Sequence, residues 1–283
     1  MVIFIKYILA LVVLPIIGGL ITGVDRKLTA RLQGRYGPPI LQPFYDFLKL
    51  VGKQRQLVNG FQALSACIYF TSSALSLLLF VLKQDLLMIV FVMSIGAVFL
   101  VIGALSVKSP YSQVGSQREL LQMLAYEPLL ILVIVGMYLV TGSFNISVIS
   151  SYPLPLIVKL PLIFLVMSIV LGIKLRKSPF DISASEHAHQ EIVRGVLTDY
   201  SGLYLALVEA AHWYDLMLLL GIIMLFFANN WILGAAVALA YVLFEIFIDN
   251  VTARLTIRWM IQFTWIVGLI LAVANITWLY FVK

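Results

Sequence analysis

Residues 174–202 read KLRKSPFDISASEHAHQEIVRGVLTDYSG, a polar stretch set between runs apolar enough to lie in lipid. It holds Asp181, Glu186, Glu191 and Asp199, four of the thirteen acidic residues, with His187 and His189, two of the three histidines. A loop this polar between segments this apolar implies helices that cross a membrane and loops that meet something outside it. The whole chain agrees. It is 62% hydrophobic and 11% charged, against about 45–50% and about 25% in soluble domains. Spans of roughly 20 apolar residues fall at 3–24, 61–82, 86–107, 119–140, 156–174, 203–227, 231–248 and 259–281. The expected fold is all-α: a single polytopic membrane domain over 1–283 with eight transmembrane helices and two structured loops, 25–60 and 174–202.

Composition also excludes classes. The one cysteine, Cys67, rules out an internal disulfide and a thiolate-held cluster, which needs about four Cys. The net charge of +6 comes without a long basic run or aromatic-basic interleaving, so nucleic acid is not a partner. Fifteen of the nineteen Lys and Arg fall in loops after odd-numbered spans. By the positive-inside rule those loops are cytoplasmic and both termini lie outside. The first apolar run precedes its basic cluster, the reverse of a signal peptide, and is read as a retained helix.

Ionisable residues inside a span cost at least ~2.5–3.5 kcal/mol on insertion scales and default to functional candidates. Arg118, Gln122 and Tyr126 recur every four residues, and Glu119 and Glu127 stand eight apart, with Pro128 after the second. That proline frees a carbonyl one turn back and makes room beside the glutamate. Glu209, His212 and Asp215 step by three, and Glu245 and Asp249 share a face. A structural reading has Asp249, Asp215 and Glu119 capping helix ends or pairing with Arg118, Arg254 and Arg258. Glu127, Glu209 and Glu245 sit deeper and are read as proton-exchanging groups, since burial raises carboxyl pKa values. Together these six acids and His212 make a candidate ion path.

His187 and His189, with Glu186 and Glu191 beside them, suggest a metal. Spacing of two puts the rings on opposite sides of a helix and matches no E-x-x-H or H-E-x-x-H pattern, so no metal is assigned. A hydrogen-bonding or proton-exchanging loop is the better reading. In the first loop, FYDFLKLVGK reads as a short amphipathic helix with Phe44, Phe47, Leu48 and Val51 on one face. Such a helix lies in the lipid interface or docks a partner.

With these segments in view, the chain resembles the membrane anchor subunit shared by respiratory complex I and the energy-converting NiFe hydrogenases. The likeness rests on DRKLTARLQGRYGPP, LQPFYDFLKL, GSQRELLQMLAYEP, KSPFDIS and VLTDYSG, in that order along the chain. Arg26, Arg31, Arg35 and Gly37 match the first-loop pattern. Arg118, Gln122, Tyr126 and Glu127 match the fourth span, and Pro179, Phe180, Asp181, Glu191, Asp199 and Tyr200 the third cytoplasmic loop. The quinone-reducing pattern has acidic residues where His187 and His189 stand, and an acid-aromatic pair where His212 and Trp213 stand. ALVEAAHWYD, DNVTARL and SEHAHQE resemble the hydrogenase branch instead.

The resemblance implies no redox centre in this chain, with a NiFe centre and [4Fe–4S] clusters in partner subunits. Hydrogenase large and small subunits, or complex I homologues, would sit on Arg26, Arg31, Arg35, Asp181, Glu186, His187, His189, Glu191 and Asp199. Antiporter-like membrane subunits and lipids complete the expected surroundings, in a cytoplasmic membrane. Rival readings are a quinone-binding complex I subunit, a stand-alone ion transporter, and a membrane metalloenzyme built on the three histidines.

Overall fold

The computed structural model describes residues 2–54, 56, 58–177, 179–180 and 194–282. Helices form its elements, and no strand occurs among the described residues. In order they are α1 (Val2–Leu32), α2 (Gln42–Gly52), α3 (Gly60–Val81), α4 (Leu86–Leu105), α5 (Pro110–Thr141), α6 (Ile146–Ser150), α7 (Leu156–Lys159) and α8 (Pro161–Lys174). After a 3₁₀ turn at Gly195–Leu197 come α9 (Gly202–Leu225), α10 (Trp231–Val251), α11 (Ile257–Phe263) and α12 (Leu269–Val282), the last two joined by a π-helical turn at Thr264–Gly268.

Among the described residues, seven helices are long and apolar enough to cross a membrane. The expected span at 156–174 is the exception: it is two pieces, of which α8 has 14 residues, about 21 Å at 1.5 Å per residue. Pro161 explains the break, since it lacks an N–H and its ring clashes with the carbonyl one turn back. The freed groups are recaptured from α12. The fully buried Asn275 accepts from the Leu162 and Ile163 N–H groups at 3.0 Å and donates to the Lys159 carbonyl at 3.0 Å.

Other ends follow local chemistry. Asn59 caps α3 through the Phe61 N–H at 3.0 Å, and Asp85 caps α4 through Leu87 and Met88 at 2.9 and 3.2 Å. The first helix runs on past Asp25, where the loop was expected to begin. Nothing breaks the LTARL run until Gly34, whose φ of 72° reverses the chain. The fourth expected span begins not at 119 but at Pro110, a residue suited to a first helical turn, so Glu119 lies well inside α5.

The chain packs as two compact units, Met1–Leu82 with Val90–Leu120 and Ile182–Leu218, and Lys83–Ile89 with Leu121–Asp181 and Leu219–Lys283. In the first, Ala66, Tyr69, Leu100, Ala104, Val196, Leu197, Tyr200, Leu205, Val208 and Ala211 form one buried cluster. Lipid tails are as apolar as leucine, so hydrophobicity does not drive helices together there; close backbone approach and hydrogen bonds do. Gly96 and Gly103 of α4 supply that approach, because a Cβ at either would overlap Ser72 or Ser65 of α3. In the second unit Gly136 packs on Ile163 and Gly268 on Leu129 in the same way.

Helix α2 corrects one expectation. Phe44 and Phe47 pack on Trp213 of α9, ring centroids 5.2 and 5.7 Å apart, and Leu50 joins the first unit's core. Leu48 and Val51, assigned to the same face, are exposed together with Tyr45. The helix carries apolar residues on both flanks, and the flat indole of Trp213 selects the flank bearing the two phenyl rings. Asp46 fixes the helix, paired with Arg26 at 2.9 Å and bonded by Gln42 at 2.9 Å.

Candidate functional site

Within the first unit, α9 presents its polar stripe toward α3. The Tyr69 hydroxyl lies 3.0 Å from His212 Nδ1 and donates to Asp215 Oδ2 at 3.0 Å. The tyrosine and histidine rings also meet edge to face at 5.6 Å. Tyr69 and Asp215 are both buried. A phenol has one proton to give. With that proton on the Asp215 carboxylate, the hydroxyl can only accept from His212, so Nδ1 carries a hydrogen.

The end of the coupling loop belongs to the same unit. Gly195 and Val196 lie against Gly115 of α5, where a Cβ would strike their backbone. Ser112 donates to Asp199. Tyr200 donates to the Leu100 carbonyl at 3.4 Å, and burial pushes its hydroxyl above the ordinary tyrosine range, so it remains a protonated donor. Ser201 bonds the Gln56 carbonyl at 2.7 Å. Gly202, at φ 53° and against the Gln54 carbonyl, turns the chain into α9 in a conformation that favours glycine. The VLTDYSG motif is thereby a docked element, tied to α4, α5 and the first loop.

The second unit holds a separate constellation on α10. Tyr241 and Glu245, one turn apart, hydrogen-bond each other, and the Tyr241 hydroxyl also reaches the Ser168 carbonyl at 2.6 Å. Gly172 of α8 packs its bare Cα near the Glu245 carboxylate and Phe180. One turn on, Asp249 pairs with Lys177 at 3.5 Å, both side chains at least nine-tenths buried. The Leu255 N–H bonds the Pro179 carbonyl at 2.8 Å, so the KSPF segment is stitched to the DNVTARL segment that follows α10. Elsewhere in this unit Lys174 reaches the Tyr126 hydroxyl at 3.3 Å.

Of the sequence-derived path, His212 with Asp215 and Glu245 with Asp249 are thus brought together within their units. Glu119 is buried, Glu209 is half-buried, and Glu127 keeps one carboxylate oxygen buried with no hydrogen-bond partner. Arg31 and Arg35 are exposed, and Arg31 lies 4.8 Å over the Tyr36 ring. Asp181, Glu186, His187, His189 and Glu191 lie outside the described residues. Among the described residues, no three of His, Cys, Asp and Glu gather closely enough to hold a metal. Sequence reasoning missed Tyr69, Tyr241 and Asn275. Tyr69 had a signal: it stands in register with Gln62, Ser65, Ser72 and Ser76, a polar stripe along an otherwise apolar helix, all of it buried.

Comparison with known proteins bears on what holds these residues. Residues 5–280 match the NADH dehydrogenase family. Hydrogenase-4 component C of Escherichia coli is 32% identical over 70% of this chain and 67% of its own length. A membrane subunit of the NADH-quinone oxidoreductase of Syntrophotalea carbinolica is 25% identical over 73% and 71%. Among solved structures, a chain of the membrane-bound sulfane sulfur reductase, an archaeal respiratory membrane complex, superposes with a TM-score of 0.84 at 26% identity, covering 99% of this chain and 100% of that one. With its ordered motifs and apolar helices, the chain belongs to the NADH dehydrogenase family, as a multi-pass membrane subunit of an oxidoreductase complex.

Proposed function

We propose that this chain is the membrane anchor and coupling subunit of an ion-translocating, hydrogenase-type oxidoreductase complex in a cytoplasmic membrane. Its basic and Gly/Pro-structured loops seat a peripheral arm that carries the NiFe centre and the iron–sulfur clusters. Its buried acids pass the redox event on to antiporter-like membrane partners. The observation that carries this reading is the series His212, Tyr69, Asp215, in which ionisable groups inside apolar helices are hydrogen-bonded end to end. Such groups are costly in a membrane and mark ion routes. The lone cysteine, Cys67, leaves redox metal to partner chains. Likeness to hydrogenase-4 component C and the His212–Trp213 pair favour hydrogen chemistry over quinone.

A second reading, with a sulfur compound as terminal acceptor, draws support from the full-length likeness to the sulfane sulfur reductase complex. Gentle-detergent purification of a tagged chain, with identification of copurifying subunits and metals, separates the two. Nickel with iron supports the first, and iron without nickel together with sulfane-sulfur reduction the second. A chain isolated alone and metal-free overturns both.

A further inference from the structure

We propose that the Tyr69 hydroxyl is an obligatory proton-conducting link between His212 and Asp215, so that α3 supplies a working residue of the ion path; this rests on the coupling reading above. The hydroxyl stands 3.0 Å from each neighbour, within reach for direct transfer without an intervening water. Its one proton on Asp215 fixes the resting hydrogen of His212 on Nδ1 and leaves Nε2 to take up the next one.

The transfer balances. A proton bound at Nε2 makes His212 an imidazolium. Its Nδ1 proton passes to the Tyr69 oxygen as the Tyr69 proton passes to Asp215 Oδ2. His212 and Tyr69 end neutral, and Asp215 ends as a carboxylic acid. Glu209 lies three residues before His212 on the side of α9 from which a cytoplasmic proton would come, and its spacing puts it on the neighbouring turn. Beyond Tyr69, the fully buried Ser73 one turn along the same face keeps its hydroxyl without a hydrogen-bond partner, the next polar atom open to a proton carrier. The rest of the Tyr69 environment is the apolar cluster of the first unit, which excludes bulk water and confines the proton to this route.

The test uses the whole complex in membrane vesicles, reading ions moved per electron pair and the solvent deuterium isotope effect on translocation. Tyr69→Phe removes one oxygen and keeps the ring that packs on His212. It should lower ion movement per electron pair about tenfold or more, as His212→Gln and Asp215→Asn do, and combining Tyr69→Phe with Asp215→Asn should add nothing further. Site-specific 3-fluorotyrosine at position 69, which retains the hydroxyl, should restore coupling and its isotope effect. Parent-like coupling in Tyr69→Phe, with Asp215→Asn and His212→Gln uncoupled, overturns the role of Tyr69 alone. Equal failure of the phenylalanine and fluorotyrosine forms assigns it to packing and also overturns it. Parent-like coupling in all three single variants overturns the coupling reading itself.

Discussion

Both units of the molecule set a tyrosine hydroxyl against a buried carboxylate, and they hold it by different means. In the first, Tyr69 and Asp215 come from two helices, α3 and α9, so the bond exists only while those helices pack. In the second, Tyr241 and Glu245 sit one turn apart on α10, and the bond survives any rigid movement of that helix. The second unit adds a cation from outside α10: Lys177, just past α8, faces Asp249. The first arrangement therefore responds to helix packing. The second responds to the KSPF segment, where the chain enters the coupling loop.

That contrast can be broken at several points. Lys177→Met should cost the most, about 3–5 kcal/mol, because it strands the Asp249 carboxylate in a dry site; thermal unfolding in detergent would show the loss. Pairing it with Asp249→Asn should recover most of the stability. If the double variant is no better than the single, Lys177 and Asp249 are not a coupled pair. Trp213→Ala should cost roughly 3 kcal/mol, the low end for a half-buried indole, and should free α2. Limited proteolysis between Gly52 and Gly60 would then speed up, and unchanged cleavage would remove Trp213 as the anchor of that helix.

Smaller effects follow where only one hydrogen bond changes. Tyr241→Phe should lower stability by about 1 kcal/mol, the net worth of a typical bond, because the ring remains. The same change at Tyr69 should cost about as much in stability while affecting coupling far more. Smallest of all, Leu48→Ser on the exposed flank of α2 should shift stability by less than about 0.5 kcal/mol. A larger loss in detergent-solubilised protein would mean that flank is packed within the chain.

These contrasts also mark what the sequence could and could not show. Helices and polar loops were legible because hydropathy reports burial in lipid as directly as burial in a core. The acids were legible because a charge inside an apolar run is conspicuous. Tyr69 was not, because tyrosine passes as apolar in the same count and only its serine and glutamine neighbours betray a polar face. The working flank of α2 was hidden for the opposite reason: apolar residues occupy both flanks, and the choice depends on Trp213, some 160 positions away in the chain. Pro161 announced a break in its span, yet its remedy, Asn275, could be matched to it only through tertiary structure. Asp199 looked like a surface acid for a partner, and the bond from Ser112 makes it an internal tie as well.

The central claim is that acids buried in these helices couple ion movement to electron transfer elsewhere in the complex. Its most direct test is the number of ions moved per electron pair in vesicles carrying Asp215→Asn or Glu245→Gln, set beside the turnover of the same complexes in detergent. The account predicts near-parental turnover with ion movement reduced about tenfold. Parental ion movement per electron pair in both variants would contradict it.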